Sequence, residues 1–135
     1  MSIEIRYLDD GIGVCWLGQG VITGQDLLEA SKETFKSEEI LKQIKYALID
    51  FTSIDKASMQ PENLRTKAGM DKIAAEINPD VVVALIASKN VMFGLSRMWE
   101  VFVDQIGWKT KVFRSKDEAE VWTKELVPEF CTKDE

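Results

Sequence analysis

The sequence predicts a single α/β domain: a mostly parallel five-stranded sheet that begins with a hairpin and carries four helices. Three observations lead there. The first residues alternate apolar and polar around a turn-forming "DDG". Three later apolar runs are short enough to be strands, and helical periodicity separates each from the next. A chain of 135 residues fits one core.

The elements follow in order. "IEIRY" sets Ile3, Ile5 and Tyr7 against Glu4 and Arg6, as a strand with one wet face should. "DDG" at 9–11 turns the chain, and "IGVCWLGQGVI" returns as a second strand whose glycines mark bulges or twist. Thr23 or Gly24 opens a helix with Leu27, Leu28, Ser31 and Phe35 on one face and Lys32, Glu33 and Lys36 on the other. "KYALIDF", 45–51, reads as a buried strand, and "TSIDKASMQ" as a polar link to Pro61, which suits a helix's first turn. The second helix shows two stripes, Leu64, Ala68 and Ala75 in one, Met70, Ile73 and Ile77 in the other. Both stripes cannot face one sheet, so this helix is either sandwiched against the next one or gates a space between them.

"NPD" at 78–80 ends that helix, and "VVVALIA", 81–87, is β-branched and continuous, the pattern of a central parallel strand. A third helix runs through "VMFGLSRMWEVFVDQIGWK", 91–109, punctuated by Gly107. "WKTKVFR" gives the last strand, and Ser115 with Glu118 forms a capping box for a fourth helix to about Leu126. The domain is expected over 1–127, with 128–135 a loosely held polar tail. If strands neighbour in chain order, the crossover helices share one side of the sheet. The other side then needs cover from the hairpin, the tail or a second subunit.

Composition narrows function by exclusion. Net charge is −6, which disfavours nucleic acid as a partner. No apolar run reaches the ~18 residues of a transmembrane segment. The charged N-terminus is unlike a signal peptide, and Cys15 and Cys131 read as free thiols in the cytoplasm. The chain has no histidine, so the commonest general base and metal ligand are both missing. No catalytic constellation, metal site or cofactor motif is expected. Asp50, near the end of a buried strand, is the best carboxylate for a perturbed site, against a plain role accepting hydrogen bonds from the loop after it.

Two polar clusters remain. Thr52 and Ser53, then Ser88, Lys89 and Asn90, then Arg114 with Ser115 and Lys116, follow three strand ends, where open parallel sheets collect ligands. They form either an anion or polar-ligand site or ordinary solvated loops. In the third helix Ser96, Arg97, Glu100 and Asp104 oppose an apolar arc of Val91, Met92, Leu95, Met98, Trp99, Phe102, Val103 and Ile106. Met92, Trp99 and Val103 form one flank of that arc and Phe93 lies outside it. This flank is the expected ligand or partner contact, covered by the neighbouring helix, a homodimer partner or an apolar ligand.

The order of elements, the opening hairpin, "LIDFTSI" at 48–54, and "ALIASKNVMFGLSRMWE" followed by "KVFRSKDEAEVW" resemble the STAS (sulfate transporter and anti-sigma antagonist) and SpoIIAA-like domains over residues 2 to 127. The resemblance implies a non-catalytic binding or regulatory domain acting through protein contact, with itself or a partner. It also accommodates a carrier of a small apolar or lipid-like ligand in a cleft between the second and third helices, since some members of this fold class hold such molecules. Anti-sigma antagonists carry a phosphorylatable serine in an Asp-Ser-Ser-Gly turn. Here that stretch is "DKASMQPEN", with neither serine pair nor glycine, and Ser58 is the nearest candidate phosphosite.

Overall fold

The computed structural model describes residues 2–131. In order it contains β1 (Ile3–Leu8), β2 (Gly13–Thr23), α1 (Gly24–Phe35), α2 (Glu38–Gln43), β3 (Tyr46–Ser58), α3 (Pro61–Ile77), β4 (Val82–Ile86), α4 (Asn90–Phe102), β5 (Lys109–Phe113) and α5 (Lys116–Leu126). The strands lie in chain order, β1 antiparallel to β2 and every later pair parallel. The hairpin turns through Asp9, Asp10 and Gly11, all at positive φ, a region that aspartate and glycine tolerate better than most residues. Gly13 is needed for space: the Tyr46 ring stands where its Cβ would go.

Side-chain alternation divides the core. Trp16, Ile49, Val83 and Leu85 face α1, α3 and α4, whereas Cys15, Leu48, Ala84 and Ile86 face α5. Adjacent parallel strands place the crossover helices together, and α5, which follows the edge strand, is free to fold onto the opposite face.

Four expectations need correction. A fifth helix, α2, precedes β3: Ser37 Oγ caps it, accepting from Ile40 N–H at 3.3 Å, and Leu41 anchors it in the core. A single buried side chain gives little periodic signal, so α2 escaped the pattern. The supposed link 52–58 is strand, paired with β2 from Gln19↔Ser53 to Thr23↔Ser58 as a two-stranded ribbon beyond β4. Its buried Ile54 between exposed polar residues looks like a loop by composition.

Residues 128–131 are not loose. Phe130 is buried edge-on against Tyr46, 4.9 Å between ring centres, and Lys124 Nζ donates to the carbonyls of Pro128 and Phe130 at 2.6 and 2.8 Å. Asp9 Oδ2 accepts both the Tyr46 hydroxyl at 2.6 Å and the Cys131 backbone N–H at 3.0 Å. Residues 132–135 lie outside the described part. Finally, the capping box at α5 is one-sided: Ser115 Oγ accepts from Glu118 N–H at 3.2 Å, and no return bond from the Glu118 carboxylate is seen.

Candidate functional site

α3 begins at Pro61 and buries Leu64, Lys67, Ala68, Asp71, Ala74 and Ala75. These positions recur every three or four residues, one continuous helical stripe. Two of the six are charged. Lys67 is 5% exposed and Asp71 fully enclosed, and Lys67 Nζ donates to Asp71 Oδ1 at 2.6 Å. Spacing of four residues puts the two side chains over one another on the helix face. Trp99 of α4 completes the group, its indole N–H donating to Asp71 Oδ2 at 2.8 Å. Both carboxylate oxygens are therefore partnered, as a buried charge requires.

Aromatic rings surround the ammonium. Nζ lies 5.2 Å from the Trp16 ring centre, 5.6 Å from Phe35 and 5.7 Å from Trp99, within cation–π range. Trp16, and Trp108 which packs edge-on against Phe35, are held by polar bonds. Trp16 Nε1–H donates to Thr34 Oγ1 at 3.0 Å, and Trp108 Nε1–H donates to Asn78 O at 2.8 Å. Asn78 Nδ2 in turn donates to the carbonyls of Leu41 and Ile44, tying α2 to the end of α3.

Two hollows open beside this group. One, about 30 Å³, lies among Trp16, Phe35, Lys67, Asp71, Trp99 and Trp108. The other, about 20 Å³, lies among Leu27, Phe51, Leu64, Met92 and Ser96. Ile49, Lys67 and Trp99 border both. Each has room for a water-sized group.

Of the covers expected for the contact flank, the structure shows the chain's own. Met92, Trp99 and Val103 are 2%, 3% and 1% exposed, enclosed by their own chain, so they are not a rim that a protein partner reaches. The buried stripe of α4 is Met92, Ser96 and Trp99, continued by Val103 just past the helix end, while Val91 points to solvent. Ser96 explains the rotation. Its hydroxyl donates to Met92 O at 2.7 Å, so a polar residue sits in the core with its bonding met by its own helix. Phe93 is half-buried under the Arg114 guanidinium, 4.1 Å from its ring centre.

The strand-end residues do not converge on one site. Arg114 Nη1 donates to Ser88 O at 3.3 Å and Asn90 Oδ1 at 2.6 Å. Lys89 Nζ donates instead to Asp55 O on the ribbon. Thr52 donates from its N–H and its hydroxyl to Asp50 Oδ1, at 2.9 and 2.6 Å, and Lys116 Nζ stands 3.9 Å from Oδ2. Asp50 thus organises the loop after it. Ser53 is exposed on the ribbon. Ser58 ends β3, two residues before the Gln60 cap of α3, so a phosphate there would stand outside the helix's first turn. Among the described residues, no cluster of His, Cys, Asp and Glu has metal-binding proximity, and Cys15 and Cys131 form no disulfide.

The comparison with solved structures settles the fold. An uncharacterised protein of the DUF3478 family from Shewanella loihica PV-4, described as having a SpoIIAA-like fold, superposes with a TM-score of 0.51 at 23% identity, over 90% of this chain and 91% of that one. The fold is SpoIIAA-like. No family model matches this sequence, and no curated protein does. Within the SpoIIAA-like frame the Lys67–Asp71–Trp99 group lies under the helices on one sheet face, away from the strand-end loops. No described helix is long and apolar enough to cross a membrane.

Proposed function

We propose that this chain is a non-catalytic, cytoplasmic binding domain that holds a small, mostly apolar molecule between α3, α4 and the sheet. The observation that carries this is the pair of hollows that share Lys67 and Trp99 as lining, space left unfilled beside a buried ion pair in a core that is otherwise closely packed. The hollows admit little, so entry requires a wall to move. α4 is suited to it. Its N-cap, Lys89, makes no side-chain capping bond to the helix, and Gly94 stands mid-helix with nothing within 4 Å of where a Cβ would be. A mid-helix glycine costs roughly 0.5–1 kcal/mol against alanine. By contrast Thr23 and Asp26 cap α1 reciprocally, at 2.9 and 3.1 Å.

Native mass spectrometry of freshly purified protein tests the reading, since it reports subunit count and bound molecules together. The expected spectrum carries a small-molecule adduct that denaturation releases. A bare mass, together with Trp99 fluorescence unmoved by apolar additives, would sink it. A second reading, contact with another copy or a protein partner, draws on Val91 and Val101 of α4, 68% and 70% exposed. Single exposed apolar residues are common on monomers, so this reading ranks second. A dimer mass without adduct would favour it.

A further inference from the structure

Lys67 borders both hollows, and its ammonium has more donors than the protein uses. An ammonium carries three N–H groups. Among the described residues one oxygen accepts from it, Asp71 Oδ1, and three aromatic ring faces cover other directions. Ring faces attract a cation, but they do not replace an oxygen acceptor in a dry interior. Donor capacity is therefore left on a side chain that lines both hollows.

Charge then selects the ligand. Lys67 and Asp71 balance one another. A carboxylate or phosphate brought to this point would add an uncompensated negative charge beside Asp71, at a large desolvation cost. A cation would meet the ammonium. A neutral oxygen accepts from Lys67 and leaves the balance intact. Resting on the ligand-binding reading above, we infer that the site takes an uncharged, largely apolar molecule bearing one oxygen acceptor, such as a ketone, ester or alcohol. Its oxygen meets Lys67 Nζ, and its hydrocarbon part lies against Trp99 and the aliphatic lining.

The test uses three probes of similar size, 2-pentanone, n-pentane and butanoate, titrated into the full chain at neutral pH. Binding is read from the indole N–H resonances of Trp16, Trp99 and Trp108. The ketone should bind roughly tenfold or more tightly than either alternative, the scale of one hydrogen bond to a charged donor. In Lys67→Met/Asp71→Asn, which keeps an acceptor for Trp99 while removing both charges, the ketone's advantage over pentane should vanish. Butanoate binding as tightly as the ketone, or ketone and pentane binding equally to the parent, would overturn the inference and leave the ligand-binding reading standing. An advantage that survives in the double variant would also overturn it. If no probe shifts any indole signal, both fall. The parent series decides even if the double variant fails to fold.

Discussion

The two faces of the sheet use similar strands and are finished in opposite ways. On the α5 side the cover is ring on ring: Phe113 against Trp122 at 5.5 Å, Tyr46 against Phe130 at 4.9 Å. The buried charge on that side, Asp50, lies at the end of the β3–β4 pairing, bonded by Thr52 and 3.9 Å from half-exposed Lys116. On the α1/α3/α4 side an ion pair goes into the middle of the core, and hollows remain beside it. Buried ion pairs rarely add stability over well-packed apolar residues. The difference therefore teaches that the α5 face is built for stability, while the other gives some up for a polar point inside.

The largest effect expected is for Asp71→Ala. It leaves the Lys67 ammonium buried without its partner and removes the acceptor of Trp99. A loss of about 3–5 kcal/mol is expected by urea denaturation. Lys67→Met/Asp71→Asn should recover most of it; a double variant as unstable as the single would break the contrast between the faces. Phe130→Ala probes the other side and should cost about 3 kcal/mol, near the lower end for a buried phenylalanine. A change near zero would mean that 128–131 contributes no packing. Gly94→Ala should stabilise by about 0.5–1 kcal/mol, through fewer unfolded conformations, and weaken ligand-induced changes in Trp99 fluorescence.

The faces should also fail at opposite ends of the pH scale. Burial, reinforced by the bond to Asp9, pushes the Tyr46 hydroxyl well above its ordinary value. The unfolded chain begins to lose that proton near pH ~10 while the folded chain keeps it. The resulting stability is complete below that point and falls as pH rises further. Asp26 behaves in reverse. The backbone N–H of Thr23 holds its carboxyl below the usual range. Its contribution is present above the ordinary carboxylate pKa and disappears as pH falls through the depressed one. Denaturant midpoints against pH, in the parent and in Tyr46→Phe and Asp26→Asn, separate the two. The smallest effect belongs to Arg114→Ala, under about 1 kcal/mol for an exposed side chain.

The elements are legible because short apolar runs separated by periodic helices leave few arrangements once crossovers obey one hand, and strands in chain order then put the crossover helices on one side. The share of α5 in covering the opposite face is not legible, since the sequence points to the hairpin, the tail or a second subunit there. The site was only half legible. Leu64, Ala68 and Ala75 are visible as a stripe, but Lys67 and Asp71, which share its buried face, are not picked out by an apolar pattern. The available signal was their spacing: opposite charges four apart, both in phase with the apolar residues. In α4, hydrophobicity alone set the axis wrongly, because Ser96 faces inward with its hydroxyl satisfied locally. Trp99 was identified as notable, yet its role as a donor to Asp71 depends on a contact 28 residues away that no local pattern encodes.

One carboxylate joins distant parts of the chain. Asp9 reaches Tyr46 across 37 positions and Cys131 across 122. A nascent chain emerged only as far as α5 would leave that oxygen with the tyrosine alone, and Phe130 could not yet close over the ring. The hairpin end of the sheet would thus wait, half-latched, until the last described residues arrive.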